Sequence, residues 1–197
     1  MFIQICREKL PRLLQDWTGE RPWIVEVGCS REIIEGQNST VQLLALAKEL
    51  DLAFAGIDLD DANIEALQRD YKENNARWIT GKGEEELQTW EKPIAACYLD
   101  AYDFWHASHS DLRQKTYVES YGSVINDAEC HAMHLEAARH CSRLIPTGGL
   151  LGLDDTWREN DEWVGKGALA LPWLLDQGWQ LLSCANRGTV LLKIDEE

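Results

Sequence analysis

Two apolar runs in this 197-residue chain end in aspartates. Pro93–Leu99 is followed by Asp100, in CYLDAYD, and Leu150–Leu153 by Asp154 and Asp155, in LGLDD. Three carboxylates brought to neighbouring strand ends repel one another unless a positive charge stands between them. A hard divalent cation with oxygen ligands, Mg²⁺ above all, is the economical answer, since it binds a few carboxylates and keeps several waters. The plain alternative is that Asp154 and Asp155 serve only as caps or turn residues.

A third run, Leu52–Ile57, ends at Asp58 in GIDLD. A carboxylate there can accept two hydrogen bonds from a ribose diol, as in nucleotide-binding α/β folds. The stretch Trp23–Leu50, WIVEVGCSREIIEGQNSTVQLLALAKEL, supplies the place for the rest of such a ligand. Trp23–Val27 suits a buried strand, Gly28 ends it, and Thr40–Leu50 reads as a helix with Ser39 as N-cap and Gln42 reaching back. Strand, glycine turn and helix N-terminus make a cradle of free backbone N–H groups. A dinucleotide would want a compact G-x-G-x-x-G turn, but after Gly28 the next glycine is Gly36. The other kind of ligand that uses such a cradle, S-adenosylmethionine, presents no phosphate; the plain alternative is a β-turn-α unit of any doubly wound fold.

The elements that must position these residues alternate. Phe2–Trp17 has a helical spacing that Pro11 should restart. Leu52–Ile57, Ala76–Thr80, Pro93–Leu99 and Leu150–Leu153 read as further strands. Helices are expected after Asp60 or Asp61, over Glu84–Trp90, His131–Leu144 and Gly167–Gln177, and Trp179–Ala185 with Thr189–Ile194 as a closing antiparallel hairpin. The expectation is an α/β, Rossmann-like, doubly wound, mainly parallel seven-stranded sheet with a C-terminal antiparallel hairpin, in one domain spanning 1–197. The stretch 101–129 breaks the rhythm. It carries Tyr102, Trp105, Tyr117 and Tyr121 and is expected to be a lid or insertion.

The acidic Glu26 followed by Gly28 resembles the first motif of class I S-adenosylmethionine-dependent methyltransferases. The order of elements resembles that fold from Trp23 to Ile194. The resemblance implies a cofactor site at Glu26, Gly28 and Asp58, with Gly83 and Glu84, in the turn after the third strand, near the adenine. Asp100, Asp154 and Asp155 match the metal residues of metal-dependent small-molecule O-methyltransferases of the catechol and macrolide-sugar types, the double Asp being closer to the latter. The implied reaction is methylation of a small-molecule hydroxyl oriented by a divalent cation, with Asp103 or His106 as the base. A metal-independent methyltransferase and a non-catalytic nucleotide-binding protein of the same fold stay open.

All five histidines fall between His106 and His140. His106-x-x-His109 and His131-x-x-His134 could each share a helix face, though a zinc site would want a third ligand. Trp105, Trp157 and Trp163 lie where they could stack on a planar acceptor. The six cysteines are scattered, as buried free thiols in a reducing compartment would be. A net charge of −15 without a Lys/Arg cluster disfavours nucleic acid. No apolar run reaches the length of a membrane span, and the N-terminus lacks the pattern of a signal peptide. A cytoplasmic protein acting on a small molecule is expected, with the oligomeric state open and a homodimer among the options.

Overall fold

The computed structural model describes residues 1–30, 38–104, 114–115, 117–119, 122 and 124–195. Its elements in chain order are α1 (Phe2–Gln15), β1 (Trp23–Val27), α2 (Ser39–Glu49), β2 (Ala53–Asp58), α3 (Asp61–Asp70), β3 (Ala76–Thr80), α4 (Gly83–Thr89), β4 (Ile94–Leu99), α5 (Asp127–Leu144), β5 (Leu150–Leu153), β6 (Thr156–Glu159), β7 (Glu162–Gly165), α6 (Ala170–Asp176), β8 (Gln180–Ala185) and β9 (Gly188–Leu192). Seven strands form one sheet in the order β3-β2-β1-β4-β5-β9-β8, parallel except where β9 runs antiparallel to β5 and β8. The Rossmann-like architecture and closing hairpin expected from the sequence are both present. No helix among the described residues is long and apolar enough to cross a membrane.

Strand alternation sorts the side chains into two cores. Val25, Val27, Ala55, Ile57, Cys97, Leu99, Leu151 and Leu153 pack with α5 and α6 on one face. Ile24, Phe54, Ala96, Leu150 and Val190 pack with α1 and α2 on the other. Both faces of the central strands are therefore buried, which is why they read as nearly unbroken apolar runs. Five of the six free cysteines are buried, and Cys184 is exposed.

Several boundaries differ from the sequence reading. Pro11 does not restart α1 but lies inside it. The buried residues Phe2, Cys6 and Leu10 recur on one face, and Pro11 is exposed, so the missing N–H falls on the solvent side. The cap of α2 is Asn38, whose side chain accepts from Val41 N at 3.0 Å, and Gln42 Nε2 reaches back to the Asn38 carbonyl. The capping logic holds one residue earlier than expected. Asp60 caps α3, accepting from Ala62 N and Asn63 N. α5 begins at Asp127, capped by Asn126, and so takes in the end of the stretch expected as a lid. Of the rest of 101–129, residues 105–113, 116, 120–121 and 123 lie outside the described residues.

The sequence reading passed over one hairpin, β6–β7, which forms a separate two-stranded sheet. Its turn residues Asn160 and Asp161 both have positive φ, 48° and 65°, as a tight two-residue turn matched to strand twist requires.

Candidate functional site

Register builds the site. Val27 pairs with Ile57 and with Leu99, and Leu99 pairs with Leu153. The residues that come next therefore stand in a row at the carboxyl ends of four adjacent strands: Asp58 as the last residue of β2, and Gly28, Asp100 and Asp154 just beyond β1, β4 and β5. Backbone bonds hold the row: Gly28 N donates to Ile57 O, Asp100 N to Val27 O and Asp154 N to Leu99 O, at 2.8, 2.8 and 3.0 Å. Ligands of open α/β sheets bind at this edge.

Glu26 is fully buried in β1. Alternation aims it to the same side as Ile24, toward the start of α2. The Ser39 and Thr40 hydroxyls stand nearby, yet neither Glu26 oxygen has a well-formed hydrogen bond among the described residues. Burial pushes its carboxyl up to about 8, the two hydroxyls oppose that, and Asp100 and Asp58 add to the rise. A buried acceptor without a donor is costly and calls for a partner. Beside it, Ser30 N donates to Thr40 Oγ1 at 2.7 Å and the Ser30 and Ser39 hydroxyls pair at 2.9 Å, tying the end of the glycine turn to α2. Residues 31–37 of the intervening loop lie outside the described set.

Gly28 is required by its backbone, with φ +89° and a hypothetical Cβ only 2.5 Å from Ala101 N. It lets the chain leaving β4 pass close to the turn after β1. Asp58 is buried, and its own loop uses it: Oδ2 accepts from Cys29 N at 3.0 Å and Asn63 Nδ2 at 3.2 Å, Oδ1 from Asp60 N at 2.8 Å. A ribose diol would share a carboxylate that already orders the turn. At the third strand, Gly83 opens α4 against Val27 Cγ1 with no room for a side chain. The neighbouring Glu84 Oε2 is buried without a hydrogen-bond partner among the described residues. The orphaned acceptors of Glu26 and Glu84 and the cradle at Gly28 fit a cofactor with donor groups at both ends, as S-adenosylmethionine has.

The three aspartates expected to hold a metal are engaged otherwise. Lys166, 4% exposed, donates from Nζ to Asp100 Oδ1 at 2.5 Å and to the Asp100 carbonyl at 3.2 Å, and lies 3.8 Å from Asp155 Oδ2. Asp154 Oδ1 accepts from the Tyr98 hydroxyl at 2.7 Å. Asp155 Oδ1 pairs with Arg187 at 3.0 Å. Burial works against the Lys166 charge, but Asp100, Asp154 and Asp155 outweigh it and hold the ammonium well above its usual range. Burial raises the Asp100 carboxyl to about 7; Lys166 opposes the rise and Asp154 adds to it. Among the described residues no group of three or more His, Cys, Asp or Glu side chains could hold a metal ion. The donor set as arranged does not fit a divalent cation, because an ammonium stands where the expected ion would have to sit.

Lys166 is a candidate site residue that the sequence does not single out. Its signal was the Asn160-Asp161 turn flanked by Trp157-Arg158 and Glu162-Trp163, which marks a hairpin. The pairing Thr156↔Gly165 folds β7 back onto the end of β5, and Lys166 N donates to the Asp155 carbonyl at 2.9 Å.

A cavity of about 690 Å³ opens beside this cluster. It is walled by Tyr98, Asp100, Asp154 and Asp155, by the starts of α1 and α2, and by the β8–β9 turn. Arg187 of that turn lies 4.7 Å from the Trp157 ring centroid and 5.9 Å from that of Phe104. Trp163 faces Arg158 at 5.6 Å, so both tryptophans carry arginines.

Of the proposed bases, His106 lies outside the described residues, as do His109 and Trp105. Asp103 acts on Tyr117, whose phenol is raised to about 12 by burial first and by Asp103 second. His131 and His134 both belong to α5, but His134 is fully buried with Nδ1 2.9 Å from the Cys130 carbonyl, and His131 is only partly buried.

No protein-family model matches the chain, and no curated protein matches it in sequence. Solved structures do. A Streptococcus mutans protein assigned as a methyltransferase, in complex with SAH, is 14% identical with a TM-score of 0.52, covering 98% of each chain. A protein of Clostridium thermocellum assigned as an rRNA methylase is 14% identical with a TM-score of 0.53, over 94% of this chain and 97% of that one. A glycopeptide N-methyltransferase complexed with sinefungin is 9% identical with a TM-score of 0.51, over 98% and 87%. The chain has the α/β fold shared by these S-adenosylmethionine-type methyltransferases.

Proposed function

We propose that the chain transfers the methyl group of S-adenosylmethionine to a hydroxyl of a small molecule. The observation that carries this reading is Glu26, a fully buried carboxyl group neither of whose oxygens has a well-formed hydrogen bond among the described residues, aimed into the cradle between the Gly28 turn and α2. The fold is one in which solved relatives hold SAH and sinefungin.

In this reading Glu26 takes the amino-acid end of the cofactor, Asp58 the ribose and Glu84 the amino group of the adenine. The bound cofactor supplies a methyl group on a sulfonium, an electrophile that needs no further activation. The chain has to hold the acceptor oxygen in line with that methyl group, and most of the rate comes from this positioning. The cavity is of ordinary ligand size, and Ser39, Gln42, Tyr98, Asp154 and Thr189 on its wall suit a hydroxylated molecule. Asp154, which alone of the three aspartates has no ion pair within 4 Å among the described residues, is oriented by Tyr98 and takes the hydroxyl proton. Asp103 does not line the cavity. The oxygen–carbon bond forms as the carbon–sulfur bond breaks, and its electron pair stays on sulfur. No step runs through a divalent ion, since the residues that would bind one are committed to Lys166, Tyr98 and Arg187.

The cavity's three aspartates and the net charge of −15 repel a phosphate backbone, which favours a small-molecule acceptor over RNA. Titration calorimetry with S-adenosylmethionine tests the proposal. Micromolar binding that Glu26→Gln weakens at least about tenfold, or 1.4 kcal/mol, is expected. Absence of binding to the wild type would remove the reading.

A further inference from the structure

We infer that the Lys166 ammonium is a built-in replacement for a divalent cation, a positioning residue that gathers Asp100, Asp154 and Asp155 at the acceptor side of the site and excludes a metal from it. The inference rests on taking this cluster as part of the site proposed above, but its test needs no turnover.

Three carboxylates meet at the ends of β4 and β5, and that gathering demands a positive charge. Lys166 meets the demand from inside the fold. Its Nζ donates to Asp100 through both the side-chain oxygen, at 2.5 Å, and the main-chain carbonyl, at 3.2 Å, and approaches Asp155 Oδ2 at 3.8 Å. Two of the three ammonium protons thus have oxygen acceptors, and the third faces a carboxylate. The other end of the residue is equally fixed, because its N–H donates to the Asp155 carbonyl. Lys166 is held by the same aspartates through backbone and side chain together, so its charge is a rigid part of the site. A surface lysine would instead swing into solvent.

A divalent ion needs its carboxylate oxygens at about 2.0–2.6 Å. An ion so placed on Asp100 would overlap the space of Nζ and face its charge across a buried, poorly screened gap. Lysine and metal are therefore alternatives. The lysine also leaves a different charge. Lys166 and Arg187 bring two single charges to the three aspartates, and Asp154, which accepts from Tyr98, stays on the cavity wall without an ion pair within 4 Å among the described residues. A divalent ion in the same place would spend Asp154 as a ligand.

The test is binding of Mn²⁺ alone, read by loss of the free-ion EPR signal and by calorimetry, to wild type, Lys166→Ala, Lys166→Met and Lys166→Ala/Asp100→Asn. Wild type is expected to show no saturable site of one ion per chain. Removing the ammonium should create one, with affinity at least about tenfold above any residual wild-type binding, because the freed oxygens match a hard cation. Adding Asp100→Asn should abolish it. One-ion binding to wild type that Asp100→Asn removes would overturn the inference, as would a folded Lys166→Ala or Lys166→Met chain that gains no site. If both variants fail to fold, the wild-type titration decides by itself. Failure of cofactor binding would sink the methyltransferase reading and leave these outcomes untouched.

Discussion

Lys166 Nζ lies 2.5 Å from Asp100 Oδ1 although the two residues are 66 positions apart in the chain. The hairpin that brings them together depends on Gly165. Its φ is +85°, and a Cβ there would collide with the Asp155 carbonyl oxygen. Gly165→Ala should cost about 2 kcal/mol or more from the left-handed backbone and the clash, lowering Tm by about 4–8 °C in a chain of this size. Calorimetric melting checks this, and an unchanged Tm would mean that the turn relaxes freely.

Glu26 should set cofactor affinity and stability in opposition. Its folded carboxyl is raised to about 8 by burial. Below the ordinary carboxyl range both folded and unfolded chains hold the proton. Between that range and about pH 8 only the folded chain does, so the stability this group contributes is lost as pH rises through the window and levels off above it. Glu26→Gln should therefore raise the Tm of the cofactor-free chain at pH 8 more than at pH 5, while weakening S-adenosylmethionine binding. Melting curves at the two pH values, beside the calorimetry, provide the check.

Asp58 is predicted to serve two ends. Asp58→Ala leaves the donors Cys29 N, Asp60 N and Asn63 Nδ2 without their acceptor and should cost about 2–4 kcal/mol by urea denaturation. Asp58→Asn keeps one oxygen and should cost less. Both should weaken cofactor binding. A loss of stability with unchanged affinity would confine Asp58 to ordering the turn.

His134 predicts an acid-sensitive fold. Burial, aided by Lys166, lowers its ring to about 3. From its ordinary value near 6.5 down to about 3 the unfolded chain takes a proton that the folded chain refuses, so this contribution is present at neutral pH and lost as pH falls through that window. His134→Met should flatten the loss between pH 7 and pH 5, measured as the difference between the two urea midpoints.

Tyr98→Phe removes the 2.7 Å hydrogen bond to Asp154 and little else, since the ring stays stacked on Phe2 at 5.1 Å. Once an acceptor is found, kcat/KM should fall about three- to tenfold with the cofactor Kd unchanged, the loss expected for one hydrogen bond. An equal loss in cofactor affinity would place Tyr98 in the wrong subsite.

The sequence by itself determined the sheet and most of the edge. β1 and β5 lie where their apolar runs place them, because strands buried on both faces need mostly β-branched and aliphatic residues; β3 also lies where expected, although as an edge strand it is only partly buried. Asp58, Asp100 and Asp154 were legible as strand-end carboxylates because each follows an apolar run and polar residues come soon after it. Caps shifted by one residue, from Ser39 to Asn38, because neighbouring side chains of similar capping strength compete for the same N–H groups.

Tertiary structure alone decided what neutralises the aspartates. The electrostatic demand for a cation could be read from LD and LDD, but its source could not, since a metal and a lysine answer the same demand. Lys166 lies in a stretch whose charged residues carry no periodic signal, and its burial exists only because β6 and β7 pair and Gly165 lets β7 close onto Asp155. Likewise the lack of a well-formed hydrogen bond to Glu26 among the described residues is a property of its surroundings in space. A linear pattern names a residue's chemistry; which partner it meets depends on contacts between positions far apart in the chain.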